Sequence, residues 1–223
     1  MIRLENNLRY LQVAFNYDID LVNRLLPGIQ AHPRIFIEAG TPFLKQEGMN
    51  GIRQIRRHWS GVVIADLKTS DGALGEITMS SDAGANAATV LGSCPTETLD
   101  LFIAECTRRD MLSMIDMLGI DDPLAVMRPL KKPPDVVIIH RGRDEESTRG
   151  KVIRYKHINK IRSKYNVLIA AAGGVNIREA RSAIFNGANI VVVNLVRPAD
   201  GWQGILTTAN VSRAVSQYLA ELG

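Results

Sequence analysis

Eight short apolar runs, mostly rich in Val and Ile, recur along the chain and constrain its fold more than any other feature. They are Tyr10–Phe15, Arg34–Glu38, Gly61–Asp66, Ala87–Leu91, Met111–Asp116, Asp135–Ile139, Asn166–Ala171 and Asn189–Val193. Most are continuously apolar, the pattern of strands buried on both faces of a parallel sheet. Between them lie segments with helical spacing, among them Asp20–Leu26, Met49–His58, Thr96–Arg109, Gly150–Tyr165, Ile177–Asn186 and Asn210–Leu222. Strand then helix, repeated to eight strands, predicts an α/β fold of the (β/α)8 TIM barrel type. A doubly wound open sheet is the alternative, since periodicity does not separate the two. Eight such units use nearly all of the 223 residues, so a single barrel domain over 1–223 is expected. Pro129–Pro134 stands just before a predicted strand and reads as a loop, not as a domain linker.

Charge and composition narrow the function classes. Lys and Arg total 27 against 23 Asp and Glu, a formal charge of +4 with no dense basic run. That suits an anionic substrate and speaks against a nucleic-acid surface. No apolar stretch approaches the roughly 18 residues needed to span a bilayer. Met1–Arg9 lacks the continuous apolar core of a signal peptide, so a cytoplasmic protein is expected. Two cysteines, Cys94 and Cys106, cannot make a disulfide framework and read as ordinary thiols. His32 and His58 read as surface residues, His157 as a helix-face residue, Trp59 as a packing anchor, and Met111, Met114 and Met117 as core. Trp202, in a Gly-flanked loop, is placed to cover a substrate site.

Barrels of this kind build their sites at the C-terminal ends of the strands. Nearly every run ends there in a polar residue: Asn16, Glu38, Asp66 with Lys68 and Asp71, Asp116, His140 with Arg141 and Arg143, Gly173-Gly174, and Asn194. Any one carboxylate of this set could be a solvated loop residue or a helix cap. Together they are costly to desolvate unless paired or metal-bound, which marks a functional rim. Glu38 and Asp66 are hard oxygen ligands suited to Mg²⁺. Lys68, between Asp66 and Asp71, should stay protonated and stabilise an oxyanion. His140 can move a proton near neutral pH. Gly173-Gly174 would admit a phosphate to backbone N–H groups.

At these residues the chain resembles the orotidine-5′-phosphate decarboxylase superfamily, in the branch of 3-hexulose-6-phosphate synthases and 3-keto-L-gulonate-6-phosphate decarboxylases. The pieces that carry the resemblance are LQVAFN (11–16), IEAGTP (37–42), ADLKTSD (65–71), TVLG (89–92), HRGRD (140–144) and AGGV (172–175). It implies a barrel homodimer in which Glu38 and Asp66 bind Mg²⁺, Lys68 faces an enediolate, and Asp71 reaches the partner's site. The implied reaction is aldol condensation of formaldehyde with ribulose 5-phosphate, His140 taking the C1 proton. The alternative is decarboxylation of 3-keto-gulonate 6-phosphate, which the resemblance links to Arg143. A non-catalytic sugar-phosphate-binding barrel is a further alternative. Asn16 stands where the family usually has Asp. The stretch Asn194-Leu195-Val196-Arg197 departs from the family's phosphate-gripping turn, with Arg197 expected to supply charge from a shifted position.

Overall fold

Continuous apolar runs leave neither face of a strand suited to water, and the chain resolves this by closing its sheet. The computed structural model describes residues 4–149 and 152–223. Strands β1 (Tyr10–Phe15), β2 (Ile35–Ala39), β3 (Val63–Thr69), β4 (Ala87–Leu91), β5 (Leu112–Asp116), β6 (Val136–His140), β7 (Leu168–Ala172) and β8 (Ile190–Val196) pair in parallel in chain order. β1 pairs in turn with β8, with Tyr10 opposite Ile190 and Ala14 opposite Asn194. That pairing closes a (β/α)8 barrel and excludes the open doubly wound sheet. A two-residue strand β9 (Ile205–Leu206), not expected from the sequence, adds to the upper half of β8.

Helices α1 (Ile19–Leu25), α2 (Thr41–His58), α3 (Ala73–Asp82), α4 (Thr96–Arg108), α5 (Pro123–Met127), α6 (Arg143–Arg149), α7 (Lys156–Arg162), α8 (Ile177–Phe185) and α9 (Val211–Glu221) alternate with the strands. Their apolar faces and the outward-facing strand residues form the larger core, with Leu11, Val13, Ile37, Ile52, Ile55, Phe102 and Ile169 all fully buried. α2 begins eight residues before the expected Met49, because Gly48 at φ 56° kinks the helix and breaks its periodicity. The expected helix over 150–165 is shorter, confined to Lys156–Arg162, and a separate α6 precedes it. Residues 150 and 151 of that expectation, and 1–3 of the N-terminal one, lie outside the described residues.

Two of the bland expectations hold in detail. Trp59 is 2% exposed, and Met111, Met114 and Met117 are buried in the core. His157 is buried on α7, its Nε2 has no partner among the described residues, and burial lowers its pKa below the ordinary histidine value. Cys94 and Cys106 are free thiols. Among the described residues, no helix is long and apolar enough to cross a membrane.

Candidate active site

Side chains alternate along a strand, so every second residue of each barrel strand points inward. The inward set is apolar at the bottom and middle: Tyr10, Phe36, Ile64, Ala87, Met114, Ile138, Ala170 and Val192. The same parity carried toward the C-terminal ends gives Gln12 and Asn16 on β1 and its end, Glu38 on β2, and Asp66 and Lys68 on β3. It continues with Thr89 on β4, Asp116 on β5, His140 on β6 and Asn194 on β8. A cavity of about 620 Å³ opens above the apolar column, and all of these except Thr89 line it.

Lys68 is the hub. Its Nζ donates to both carboxylate oxygens of Asp66 at 2.9 and 2.8 Å and lies 3.0 Å from Oδ2 of Asp116. The β3–β4 register shifts between Ala65 and Thr69, and Lys68 there has φ 47°, a left-handed conformation costly for a side chain with a Cβ. Thr89 holds that conformation in place. Its Oγ1 accepts from the Lys68 backbone N–H at 2.9 Å and donates to Asp66 Oδ1 at 2.8 Å. Thr41, at the head of α2, donates to the other Asp66 oxygen at 2.7 Å. Both threonines, and Gln12, escaped the sequence reading. None was singled out, although Gln12, Thr41 and Thr89 lie within the LQVAFN, IEAGTP and TVLG pieces that carry the resemblance.

Asp116 ties the lysine to the histidine. His140 Nδ1 lies 3.0 and 2.9 Å from the two Asp116 oxygens. Burial alone would raise the Asp116 pKa, yet His140 and Lys68 outweigh it and hold the carboxylate well below its usual range. For Lys68, burial pulls the pKa down, and Asp66 and Asp116 more than reverse it, keeping the ammonium charged. Burial likewise lowers His140, and Asp116 overrides it, so the imidazole is more basic than usual. An Nδ1–H directed at Asp116 leaves Nε2 to act as the base.

Glu38 differs from the other acids because its counter-charge is incomplete. Burial and the Asp66 charge push its pKa up to about 7, against a lowering hydrogen bond from Gln12 Nε2 at 2.5 Å. The Oε1 of Gln12 is buried and has no hydrogen-bond partner among the described residues. Two neighbouring buried carboxylates of this kind fit a divalent cation, which would relieve the repulsion that raises Glu38. Among the described residues, no three His, Cys, Asp or Glu side chains could hold a metal by themselves. Mg²⁺ needs fewer, being bound through one or two carboxylates with water and substrate oxygens completing its shell.

The other side of the cavity carries two arginines, Arg141 and Arg143, a glycine pair, and the acids Asp144, Glu145 and Glu146. Gly173 and Gly174, after β7, have φ 105° and 61°, and a Cβ on Gly173 would collide with the Arg141 carbonyl oxygen. The Arg141 guanidinium donates to the Gly173 and Gly174 carbonyls at 2.8 and 3.2 Å. Arg143 stacks on the Trp202 ring, 3.9 Å from its centroid, and both line the cavity. Asn16 donates to Asn194 at 3.0 Å across the β1–β8 seam. Two expected site residues stand elsewhere. Arg197 is exposed, pairs with Asp18 at 2.7 Å and lies over the Tyr17 ring, so its charge is directed away from the cavity. Asp71 is exposed at the start of the loop before α3, its carboxylate accepting from the Gly72 N–H.

Residues 10–194 match the orotidine 5′-phosphate decarboxylase / HUMPS family. The chain belongs to that family. A relative named bifunctional enzyme Fae/Hps, from Methanothrix thermoacetophila, is 34% identical over 215 residues, covering 96% of this chain and 52% of its own length. The chain thus spans about half the length of the curated relatives it matches. The crystal structure of 3-hexulose-6-phosphate synthase from Salmonella typhimurium superposes with a TM-score of 0.79 at 26% identity, covering 96% of this chain and 98% of that one. The crystal structure of KGPDC from Streptococcus mutans shares the fold at a TM-score of 0.74 and 18% identity, covering 97% of this chain and 98% of that one.

Proposed function

We propose that the chain is a 3-hexulose-6-phosphate synthase, a lyase that joins formaldehyde to ribulose 5-phosphate and runs the cleavage in reverse. The observation that carries this reading is the Asp66–Lys68–Asp116–His140 chain, a fixed ammonium beside a basic imidazole at the floor of the cavity. Both the family membership and the Fae/Hps and synthase relatives support it. A phosphorylated-sugar substrate accords with the two arginines and the glycine pair that line the cavity. Such metabolites do not cross membranes, so the reading places the reaction in the cytoplasm.

Glu38 and Asp66 would hold Mg²⁺, which when bound supplies Lewis-acid polarisation of the sugar's oxygens. His140 Nε2 takes a proton from C1 of ribulose 5-phosphate. Lys68 remains charged, so it forms no Schiff base and instead stabilises the enediolate oxygen that develops. The C1 carbanion equivalent attacks the formaldehyde carbon and forms the new C–C bond. His140 then returns its proton to the alkoxide left on the former formaldehyde oxygen, and hexulose 6-phosphate results. Asn16 and Asn194, which line the cavity and bond each other, would hydrogen-bond the sugar hydroxyls.

A second reading, 3-keto-L-gulonate-6-phosphate decarboxylase, is favoured by Arg143 in the cavity wall. Loss of CO2 would generate the same kind of enediolate, which an acid must then protonate. One assay separates the readings: Mg²⁺ with ribulose 5-phosphate and formaldehyde, and in parallel with 3-keto-gulonate 6-phosphate. Consumption of formaldehyde supports the synthase, and release of CO2 alone supports the decarboxylase.

The same proposal includes a homodimer. Leu74 and Met79 on α3 and Leu101 on α4 are each about half exposed. These helices pack together, and α3 directly follows the loop that carries Asp71, so a partner covering this face would lie next to that loop.

A further inference from the structure

Glu146 stands where a substrate anion would be expected. The loops after the seventh and eighth strands are the common phosphate site of such barrels. Here Glu146 reaches both from α6. Its Oε1 accepts from the backbone N–H of Gln203, in the loop after β8, at 3.3 Å. Its Oε2 lies 3.9 Å from Arg141 Nη2 and against the Cα of Gly174, so closely that any Cβ there would collide with the carboxylate. The Glu146 and Arg141 side chains are only 15% and 12% exposed. One carboxylate therefore joins three rim segments: its own helix after β6, the glycine pair after β7 and the turn after β8.

A backbone N–H, a guanidinium and a glycine pair that allows close approach are the groups that recognise a phosphate. Here the Glu146 carboxylate takes the Gln203 N–H, packs on Gly174 and faces Arg141, whose Nη2 also donates to the Gly173 and Gly174 carbonyls. A phosphate dianion cannot share these groups with an ionised carboxylate, because two desolvated like charges at contact repel strongly. We propose that Glu146 is an internal occupant of the anion site, and that a phosphorylated substrate binds by displacing it from Gln203 and Arg141. This rests on the reading of the cavity as a sugar-phosphate site, and adds a competition that sets the apparent affinity.

Glu146 and Arg143 belong to the same short helix, and Arg143 carries the stacking contact with Trp202.

Inorganic phosphate is the probe. Its binding is measured calorimetrically at one fixed pH for the parent, for Glu146→Gln, which keeps the size and removes the charge, and for Glu146→Ala, which empties the place. Removing a competing internal ligand raises apparent affinity by the inverse of the competent fraction, here about fivefold or more in either variant. Equal or weaker binding by folded variants, with the parent still binding phosphate, overturns the competition and leaves the sugar-phosphate reading standing. Absence of phosphate binding by all three proteins at tens of millimolar overturns both. Should the alanine variant fold poorly, the glutamine variant decides.

Discussion

The Lys68 ammonium reaches Asp116 at 3.0 Å across an intervening strand, since Lys68 lies on β3 and Asp116 on β5. Lys68 has a left-handed backbone, and its ammonium bridges Asp66 on its own strand and Asp116 two strands away. A conformation that costs about 1–2 kcal/mol in isolation is held because the surrounding groups over-determine it.

Thr89 is the group that holds it. Thr89→Val removes the acceptor for the Lys68 N–H and the donor to Asp66 while keeping the shape. The expected loss is about 1–3 kcal/mol of stability from the unsatisfied N–H. A drop in kcat of about 10- to 100-fold should accompany it as Lys68 loses its position. Thr89→Ser should restore most of both. Thermal unfolding and steady-state kinetics on the two variants check this, and an unchanged kcat in the valine variant would remove Thr89 from the positioning role.

Glu38 gives the metal-free protein a pH-dependent weakness. Its folded pKa of about 7 lies above the ordinary 4.5, so the native state binds a proton more tightly than the unfolded chain. The associated stability is fully present below pH 4.5 and is lost as pH rises through 7. The size is on the order of 3 kcal/mol, taking 1.36 kcal/mol per unit. His140, also raised, contributes in the same direction through the neutral range. The midpoint of thermal unfolding in chelator should fall between pH 5 and 8, less steeply in Glu38→Gln. Added Mg²⁺ should restore the parent at pH 8 and leave the variant unmoved.

The exposed Leu74 on α3 tests the dimer. Leu74→Arg places a charge on the face expected to be covered, a change that central interface positions tolerate poorly. Light scattering should report twice the chain mass for the parent and a single chain for the variant, with activity falling as Asp71 leaves the partner's site. A parent that is already monomeric and active would exclude the shared site.

How much of this was legible in the sequence depends on which force set each feature. The barrel followed from eight apolar runs, because burial on both strand faces leaves a direct compositional trace. Glu38, Asp66, Lys68, Asp116 and His140 were visible as polar interruptions at the ends of those runs. The left-handed turn at Lys68 was not, since nothing in DLKTSD marks a positive φ at a lysine. Thr41 and Thr89 passed unnoticed because a threonine near the end of a strand is ordinary in composition and unusual only in its contacts. Arg197 read as an anion ligand by proximity in sequence, and its pairing with Asp18 from a distant segment could come only from three-dimensional structure. Glu146 was hidden for the same reason, its partner Gln203 lying 57 residues away.

Enediolate formation at Lys68 and His140 is tested most directly by solvent exchange. Ribulose 5-phosphate is incubated with the enzyme and Mg²⁺ in D2O without formaldehyde, and deuterium at C1 is followed by proton NMR. The parent should exchange one C1 proton, with the rate falling roughly a thousandfold in Lys68→Ala and to background in His140→Gln. Exchange that persists at the parental rate in Lys68→Ala, or formaldehyde consumption by a parent that shows no exchange, would contradict the mechanism.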